Sequence, residues 1–349
     1  MVDLSKRHLF STLDLTTAEV RELVDLAIAL KQGDRTVDLT AKVLGLLFFN
    51  PSVRTRMSNE SAIGRYGGSA IAVTAGKDTW NFECGEGVVM DGNTQEHVKE
   101  LAPVMSQFCH FIGIRKSELI TTGSVQGQAT GSYEEIKNDD FIRRFAQYSE
   151  VPVVNLESNA YHPMQGLADS ATMVEKLGEP KGKKYVLTWA WHPKSLPAAT
   201  PHSQLLSAAN LGMNVTLLRP EGYALDGEVM SAAKERAEAM GGSFEETDDI
   251  AEAYRDAEVV CAKSWAGLGY YGRFEDEVQE KAPLRKDWIV DEEKMALTGG
   301  GMFMHCLPVR RNIIVTDGVI DSPESAVITE AGHRLWTAAA VLAAMNGGA

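Results

Sequence analysis

The stretch Asn50-Pro51-Ser52-Val53-Arg54-Thr55-Arg56 places two guanidiniums and two hydroxyls directly after the apolar run at 44–49. If that run is a strand and the next residues open a helix, unpaired backbone N–H groups and the positive end of the helix dipole meet at this corner. A phosphate would be held there by the N–H groups, by Ser52 and Thr55, and by the planar fork of Arg54. A capped surface helix with solvated arginines would use the same residues. Position alone leaves both readings open. No GxxxxGK[ST] loop occurs, and Gly299-Gly300-Gly301 precedes an apolar run rather than following one. A Walker-type nucleotide loop and a dinucleotide oxidoreductase are therefore disfavoured.

Further chemistry-bearing residues fall at the ends of other apolar runs. Arg115 ends the run at 111–114. His162-Pro163-Met164-Gln165 follows the run at 151–156, and His305-Cys306-Leu307-Pro308 ends the run that begins at Met302. Singly, each has an ordinary structural reading: a satisfied core histidine, a small buried cysteine, a surface ion-pair arginine. Together they share one feature. All lie at carboxyl ends of expected strands, the rim where open parallel sheets bind ligands.

The elements that must position them alternate between strand and helix. Thr16 and Glu19 suit a capping box, and Val20, Leu23, Val24, Ala27 and Ile28 form one helical face, which predicts a helix over 16–31. Strands are expected at 44–49, 69–73, 111–114 and 151–156, with helices at 53–65, near 95–107 and near 140–148. The polar stretch 117–140 reads as a long loop, of the length that is usually functional. A second series begins after 178–182, with strands at 185–189, 214–218, 258–262 and 302–306, a helix at 226–240 and an apolar helix at 331–346. Such alternation implies α/β architecture with parallel sheets covered on both faces.

The 349 residues suit two domains, divided as 1–156 and 157–330, with the last helix, 331–349, returning to the first. A net charge of −14 disfavours nucleic-acid binding but leaves room for a small anion held by local arginines. No apolar run is long enough to span a membrane, and the N-terminus lacks the apolar core of a secretory signal. The four cysteines are scattered without a CxxC pair, so no zinc site or disulfide framework is expected and a reducing cytoplasm is the default.

Ser52-Val53-Arg54-Thr55-Arg56, His162-Pro163-Met164-Gln165 and His305-Cys306-Leu307-Pro308, in this order and spacing, resemble the signature set of the aspartate/ornithine carbamoyltransferases. The resemblance implies a carbamoyl phosphate domain, an amino-acid domain and a cleft between them. By motif position, Ser52, Val53, Arg54 and Thr55 would hold phosphate. Arg115, His162 and Gln165 would hold the carbamoyl group, with Cys306, Leu307 and Arg334 completing the site. Arg115, His162, Thr55 and Cys306 are the expected catalytic set. No metal or organic cofactor is expected. A non-catalytic phosphometabolite-binding module on the same scaffold is the rival reading, opposed by the completeness of the set.

Where ornithine-specific members carry Asp-x-x-Ser-Met-Gly, this chain has Cys261-Ala262-Lys263-Ser264-Trp265. A cation there suits an α-carboxylate whose neighbouring amine is acylated. This segment, Lys77-Asp78-Thr79-Trp80 and the run at 187–193 resemble the N-acylornithine branch, in which the loop tryptophan, here Trp80, reaches a neighbouring subunit's site in a homotrimer. Glu157, His192 and Lys263 are expected around the acylornithine, with Gln95 and Arg310 at its acyl end. Acetyl-type members have Glu where Gln95 stands and a modified lysine where Ile314 stands; succinyl-type members have Pro at the former position. Losing the acid removes a repulsion against a succinyl carboxylate, and Arg310 could pair with it. The five positions from Glu157 to His162, Leu196-Pro197 and the run at 309–315 are also succinyl-like. The resemblance thus points to carbamoyl phosphate and N-succinyl-L-ornithine as substrates, with N-acetyl-L-ornithine as the alternative acceptor.

Overall fold

A computed structural model describes residues 2–118 and 131–348. Its first half contains β1 (Val43–Phe48), β2 (Ser69–Thr74), a small parallel pair β3 (Asn81–Glu83) and β4 (Thr94–His97), β5 (Phe111–Arg115) and β6 (Val153–Glu157). The order β2-β1-β5-β6 makes one parallel sheet. The second half contains β7 (Lys184–Trp189), β8 (Asn214–Leu218), β9 (Ser243–Thr247), β10 (Val259–Lys263) and β11 (Met302–Met304), ordered β11-β10-β7-β8-β9, again all parallel. The α/β architecture expected from the alternation is therefore present in both halves.

Helices cover these sheets: α1 (Thr17–Gln32), α2 (Arg54–Arg65), α3 (Val98–Phe108), α4 (Asp140–Tyr148), α5 (Pro163–Leu177), α6 (Ala199–Asn210), α7 (Gly227–Ala239), α8 (Phe274–Glu280) and α9 (Val327–Met345). The α1 start follows its sequence. Thr16 Oγ1 accepts from Glu19 N at 3.2 Å, and Glu19 accepts from Thr16 N at 2.8 Å. Central strand β1 is buried on both faces, which is why its sequence is an unbroken apolar run.

Some elements differ from expectation. Residues 94–97 form a strand, and the helix expected near 95–107 begins only at Val98. Edge strand β9 (Ser-Phe-Glu-Glu-Thr) is too polar to read as a strand; pairing with β8 sets it. Every residue of α6 is buried, so it has no polar face and no helical period to detect. Of the expected loop at 117–140, residues 119–130 lie outside the described residues. The rest includes a short helix, Tyr133–Ile136, and the beginning of α4.

The halves meet through several contacts. α9 packs against α5, α1 and α2, carrying the C-terminal chain back to the first sheet's helices. Arg236 on α7 reaches the segment before α1, donating to the Thr12, Leu13 and Leu15 carbonyls at 3.1, 3.2 and 2.8 Å.

α5 and α6 approach closely at Gly166, where an added Cβ would lie 2.9 Å from the Ser203 carbonyl oxygen. Gly166→Ala gains about 1 kcal/mol of helix propensity, but the clash with a backbone atom costs about 1–3 kcal/mol. A net loss of stability is expected, read as a lower denaturant midpoint; a rise in the midpoint would contradict this packing.

Candidate active site

β1 ends at Phe48, and Asn50 fixes the loop that follows. Its amide accepts from Ser117 N at 2.8 Å and donates to Ser117 O at 3.1 Å, tying the loop to the chain just beyond β5. Ser52 Oγ accepts from Thr55 N at 3.2 Å, so Ser52 closes the first turn of α2. Arg54 is half-buried at the head of α2, and among the described residues it has no ion-pair partner. Arg56 is spent elsewhere: it donates to Thr74 Oγ1 at 3.2 Å, and its guanidinium lies 4.9 Å from the Phe48 ring centre.

Arg115 and Glu157 end adjacent strands. A register shift between Ile114 and Arg115 sets them opposite each other. Arg115 Nε donates to Glu157 Oε2 at 2.9 Å, and Nη1 donates to the Pro51 carbonyl of the loop after β1. The two residues expected to grip different substrates are thus one buried ion pair. His162 Nε2 lies 3.8 Å from the same carboxylate oxygen. The His162 backbone N–H donates to Ser203 Oγ at 2.8 Å, while Nδ1 has no hydrogen-bond partner among the described residues. Burial, then the charges of Arg334 and Arg115, pushes the His162 imidazole well below its ordinary pKa, so it is neutral and carries one N–H donor.

Arg334 on α9 joins the halves. Nη2 donates to Thr55 Oγ1 at 2.9 Å, and Nη1 donates to Gln165 Oε1 at 2.7 Å. The Gln165 amide nitrogen donates to Asp169 Oδ1 at 2.7 Å and to Glu330 Oε1 at 3.0 Å, which fixes the orientation of the amide. Burial raises the Asp169 carboxyl to about 6 and pushes Glu330 well above the usual carboxylate range. Glu330 Oε2 also accepts from His305 N at 2.9 Å, holding the turn that presents Cys306 and Leu307. This acid pair was not among the expected site residues. Its signal was two acids inside apolar helical runs, Leu167-Ala168-Asp169 and Val327-Ile328-Thr329-Glu330. Burial raises the Cys306 thiol, so it stays protonated and is no thiolate nucleophile.

Lys263 ends β10, His192, Leu196 and Pro197 follow β7, and Arg310 and Ile314 follow β11. These residues line one cleft of about 690 Å³ with Ser52, Val53, Arg54, Thr55, Arg115 and Glu157, and with His162, Gln165, Cys306, Leu307 and Arg334. Burial pushes His192 down to about 4. The lining holds five cationic side chains and one carboxylate. Among the described residues, Lys263 and Arg310, like Arg54, have no ion-pair partner. Two expected site residues are missing from this cleft. Trp80, 57% exposed, and Gln95, also exposed, belong to the β3–β4 region, a sheet apart from the strand ends that build the cleft. No group of three or more potential metal ligands occurs among the described residues, and no described helix is long and apolar enough to cross a membrane.

Comparison with known proteins yields two family models. The aspartate/ornithine carbamoyltransferase carbamoyl-P binding domain matches residues 7–175, and the Asp/Orn binding domain of the same family matches 195–345. The N-acetylornithine carbamoyltransferase of Xanthomonas campestris is 41% identical over 99% of each chain. The N-succinylornithine carbamoyltransferase of Bacteroides fragilis is 36% identical over 86% of each. A crystal structure of acetylornithine transcarbamylase complexed with acetylcitrulline superposes with a TM-score of 0.91 at 40% identity, covering 97% of this chain and 99% of that one. A variant of N-acetyl-L-ornithine transcarbamylase with one glutamate changed to alanine, complexed with carbamyl phosphate and N-succinyl-L-norvaline, superposes equally well at the same identity and coverage. With both family models matched and a relative 41% identical over 99% of each chain, the chain belongs to the aspartate/ornithine carbamoyltransferases, in their N-acylornithine branch.

Proposed function

We propose that this carbamoyltransferase moves the carbamoyl group of carbamoyl phosphate to the δ-amine of an N-acyl-L-ornithine, releasing phosphate and an N-acylcitrulline for arginine biosynthesis. The observation that carries the reading is the cleft itself, in which Arg54, Lys263 and Arg310, without ion-pair partners among the described residues, stand where two anionic substrates would meet. On this reading residues 1–156 with 331–349 form the carbamoyl phosphate side, and residues 157–330 form the acceptor side.

Arg54, the hydroxyl of Ser52 and the N–H groups of residues 53–55 would hold the phosphate. The neutral δ-amine attacks the carbamoyl carbon, and its lone pair forms the new C–N bond. Negative charge develops on the carbamoyl oxygen, where the Thr55 hydroxyl, Arg115 and the neutral His162 N–H would donate. The C–O bond to phosphate then breaks, and the departing phosphate takes the amine proton. Gln165 and Arg334 would act by holding Thr55 and the phosphate side in register, and Cys306 and Leu307 by closing the wall beside the carbamoyl group. Lys263 would pair with the acceptor's α-carboxylate, with Glu157 and His192 beside it. Free ornithine adds an α-ammonium next to that carboxylate, which Lys263 repels.

For the acyl group, the comparisons support the alternative acceptor better than the one expected from the sequence. The N-acetylornithine relatives are the more similar in identity and coverage, and N-acetyl-L-ornithine is the acceptor they support. N-succinyl-L-ornithine is a second reading, favoured by one observation. Arg310 lines the cleft without an ion-pair partner among the described residues, and only the succinyl acceptor brings a second carboxylate to meet it. Arg310 is the cation left over with an acetyl acceptor. It is exposed, so water can solvate it instead. The exposed Trp80 supports a homotrimer in which it completes a neighbouring copy's site, with Gln95 carried in the same region of the chain.

Three outcomes test these assignments. With carbamoyl phosphate and both acylornithines in one vessel, the N-acetyl product is expected to dominate; Arg310→Ala then changes its kcat/KM by less than about threefold. A dominant succinyl product that falls about tenfold with Arg310→Ala would establish the second reading. Arg54→Ala is expected to raise the KM for carbamoyl phosphate about 10- to 100-fold, with Arg56→Ala having a far smaller effect; equal effects would contradict the assignment of the two arginines. Trp80→Ala is expected to abolish most activity without lowering the melting temperature, and sedimentation should give three times the chain mass.

A further inference from the structure

The segment between β7 and α6 carries His192, Leu196 and Pro197 into the cleft, yet it has no regular secondary structure. Behind it, out of contact with solvent, lies an ion pair. Lys281 Nζ is 3.3 Å from Glu277 Oε1, and the side chains are 2% and 0% exposed. The pair is aimed at the segment. Lys281 Nζ donates to the Lys194 carbonyl at 3.0 Å, and Ser195 Oγ donates to Glu277 Oε2. The Lys281 backbone carbonyl accepts from Trp191 Nε1 at 3.0 Å. In turn, Lys194 N donates to His192 Nδ1 at 3.0 Å, which fixes the ring that faces the cleft.

Two buried charges remove more hydration than their attraction restores, and an apolar pair of the same volume would stabilise the fold at least as well. An apolar pair could not satisfy the Lys194 carbonyl or the Ser195 hydroxyl. We propose that Lys281 and Glu277 are positioning residues for acceptor specificity, holding segment 191–197 in the curve that presents His192 and Leu196 to the acylornithine. This rests on the acceptor-side assignment made above. Arg54, Thr55 and Arg115 stand at strand ends of the other sheet, and among the described residues no hydrogen bond or ion pair joins them to the Lys281–Glu277 pair, so the effect is confined to one substrate.

The test uses the full-length chain with whichever acylornithine the unmodified protein turns over, so that failure of the activity itself is seen first and separately. The double variant Glu277→Gln with Lys281→Met removes both charges and leaves no lone buried ion. Ser195→Ala removes only a hydroxyl from the segment and serves where the double variant does not fold. The KM for the acylornithine is expected to rise about tenfold in the double variant and about threefold in Ser195→Ala, the loss of a buried hydrogen bond. The KM for carbamoyl phosphate is expected to stay within about twofold in both. An unchanged acylornithine KM in Ser195→Ala or in the folded double variant would overturn the proposal, as would a parallel rise in both KM values.

Discussion

Among the described residues, five positive side chains share one cleft with a single carboxylate, in a chain whose net charge is −14. Bringing like charges together out of water is costly unless each has an anion or a hydrogen-bond acceptor. The surrounding structure supplies these unevenly. Arg115 is neutralised by Glu157 and anchored on the Pro51 carbonyl. Arg334 is spread between Thr55 and Gln165, with the Asp169–Glu330 pair behind Gln165. Mutual proximity and burial favour one proton held on that pair, leaving about one negative charge beneath the cationic floor. Among the described residues, Arg54, Lys263 and Arg310 are given no ion-pair partner. On the proposed reading, anionic substrates complete what the protein leaves uncompensated.

The same imbalance explains the state of the other polar groups. Neighbouring positive charge and burial keep His162 neutral, and burial keeps Cys306 a thiol. Neither is set up as a strong base or nucleophile. On the proposed reading, what remains is an array of donors around the reacting carbonyl and a cationic seat for the phosphate that leaves. Carbamoyl phosphate is already activated, so orientation and electrostatic stabilisation are the contributions such an array can make.

Much of this was legible in the sequence because chemistry and fold coincide at strand ends. Arg54, Arg115, His162 and Cys306 each follow a buried apolar run, and parallel sheets concentrate ligands at that rim. Arg56 was legible only as a candidate; its stacking on Phe48 depends on how α2 lies across β1 and β2. The Arg115–Glu157 pair needed the register shift between β5 and β6, which no local pattern records. The acids Asp169 and Glu330 come from α5 and α9, far apart in sequence, and meet only when those helices pack. Gln95 is the converse case. Motif position assigned it to the acyl end, but within one chain it sits on β4, away from the cleft.

The central claim is that the unpaired Lys263 selects an acceptor whose α-amine is acylated. The direct measurement is the rate of carbamoyl transfer from carbamoyl phosphate to L-ornithine and to N-acetyl-L-ornithine under the same conditions. The account predicts turnover of the acylated amine and at least about a hundredfold lower kcat/KM for free ornithine, the cost of an ammonium facing a half-buried cation without a counter-ion. Turnover of free ornithine at an equal or higher rate would contradict it.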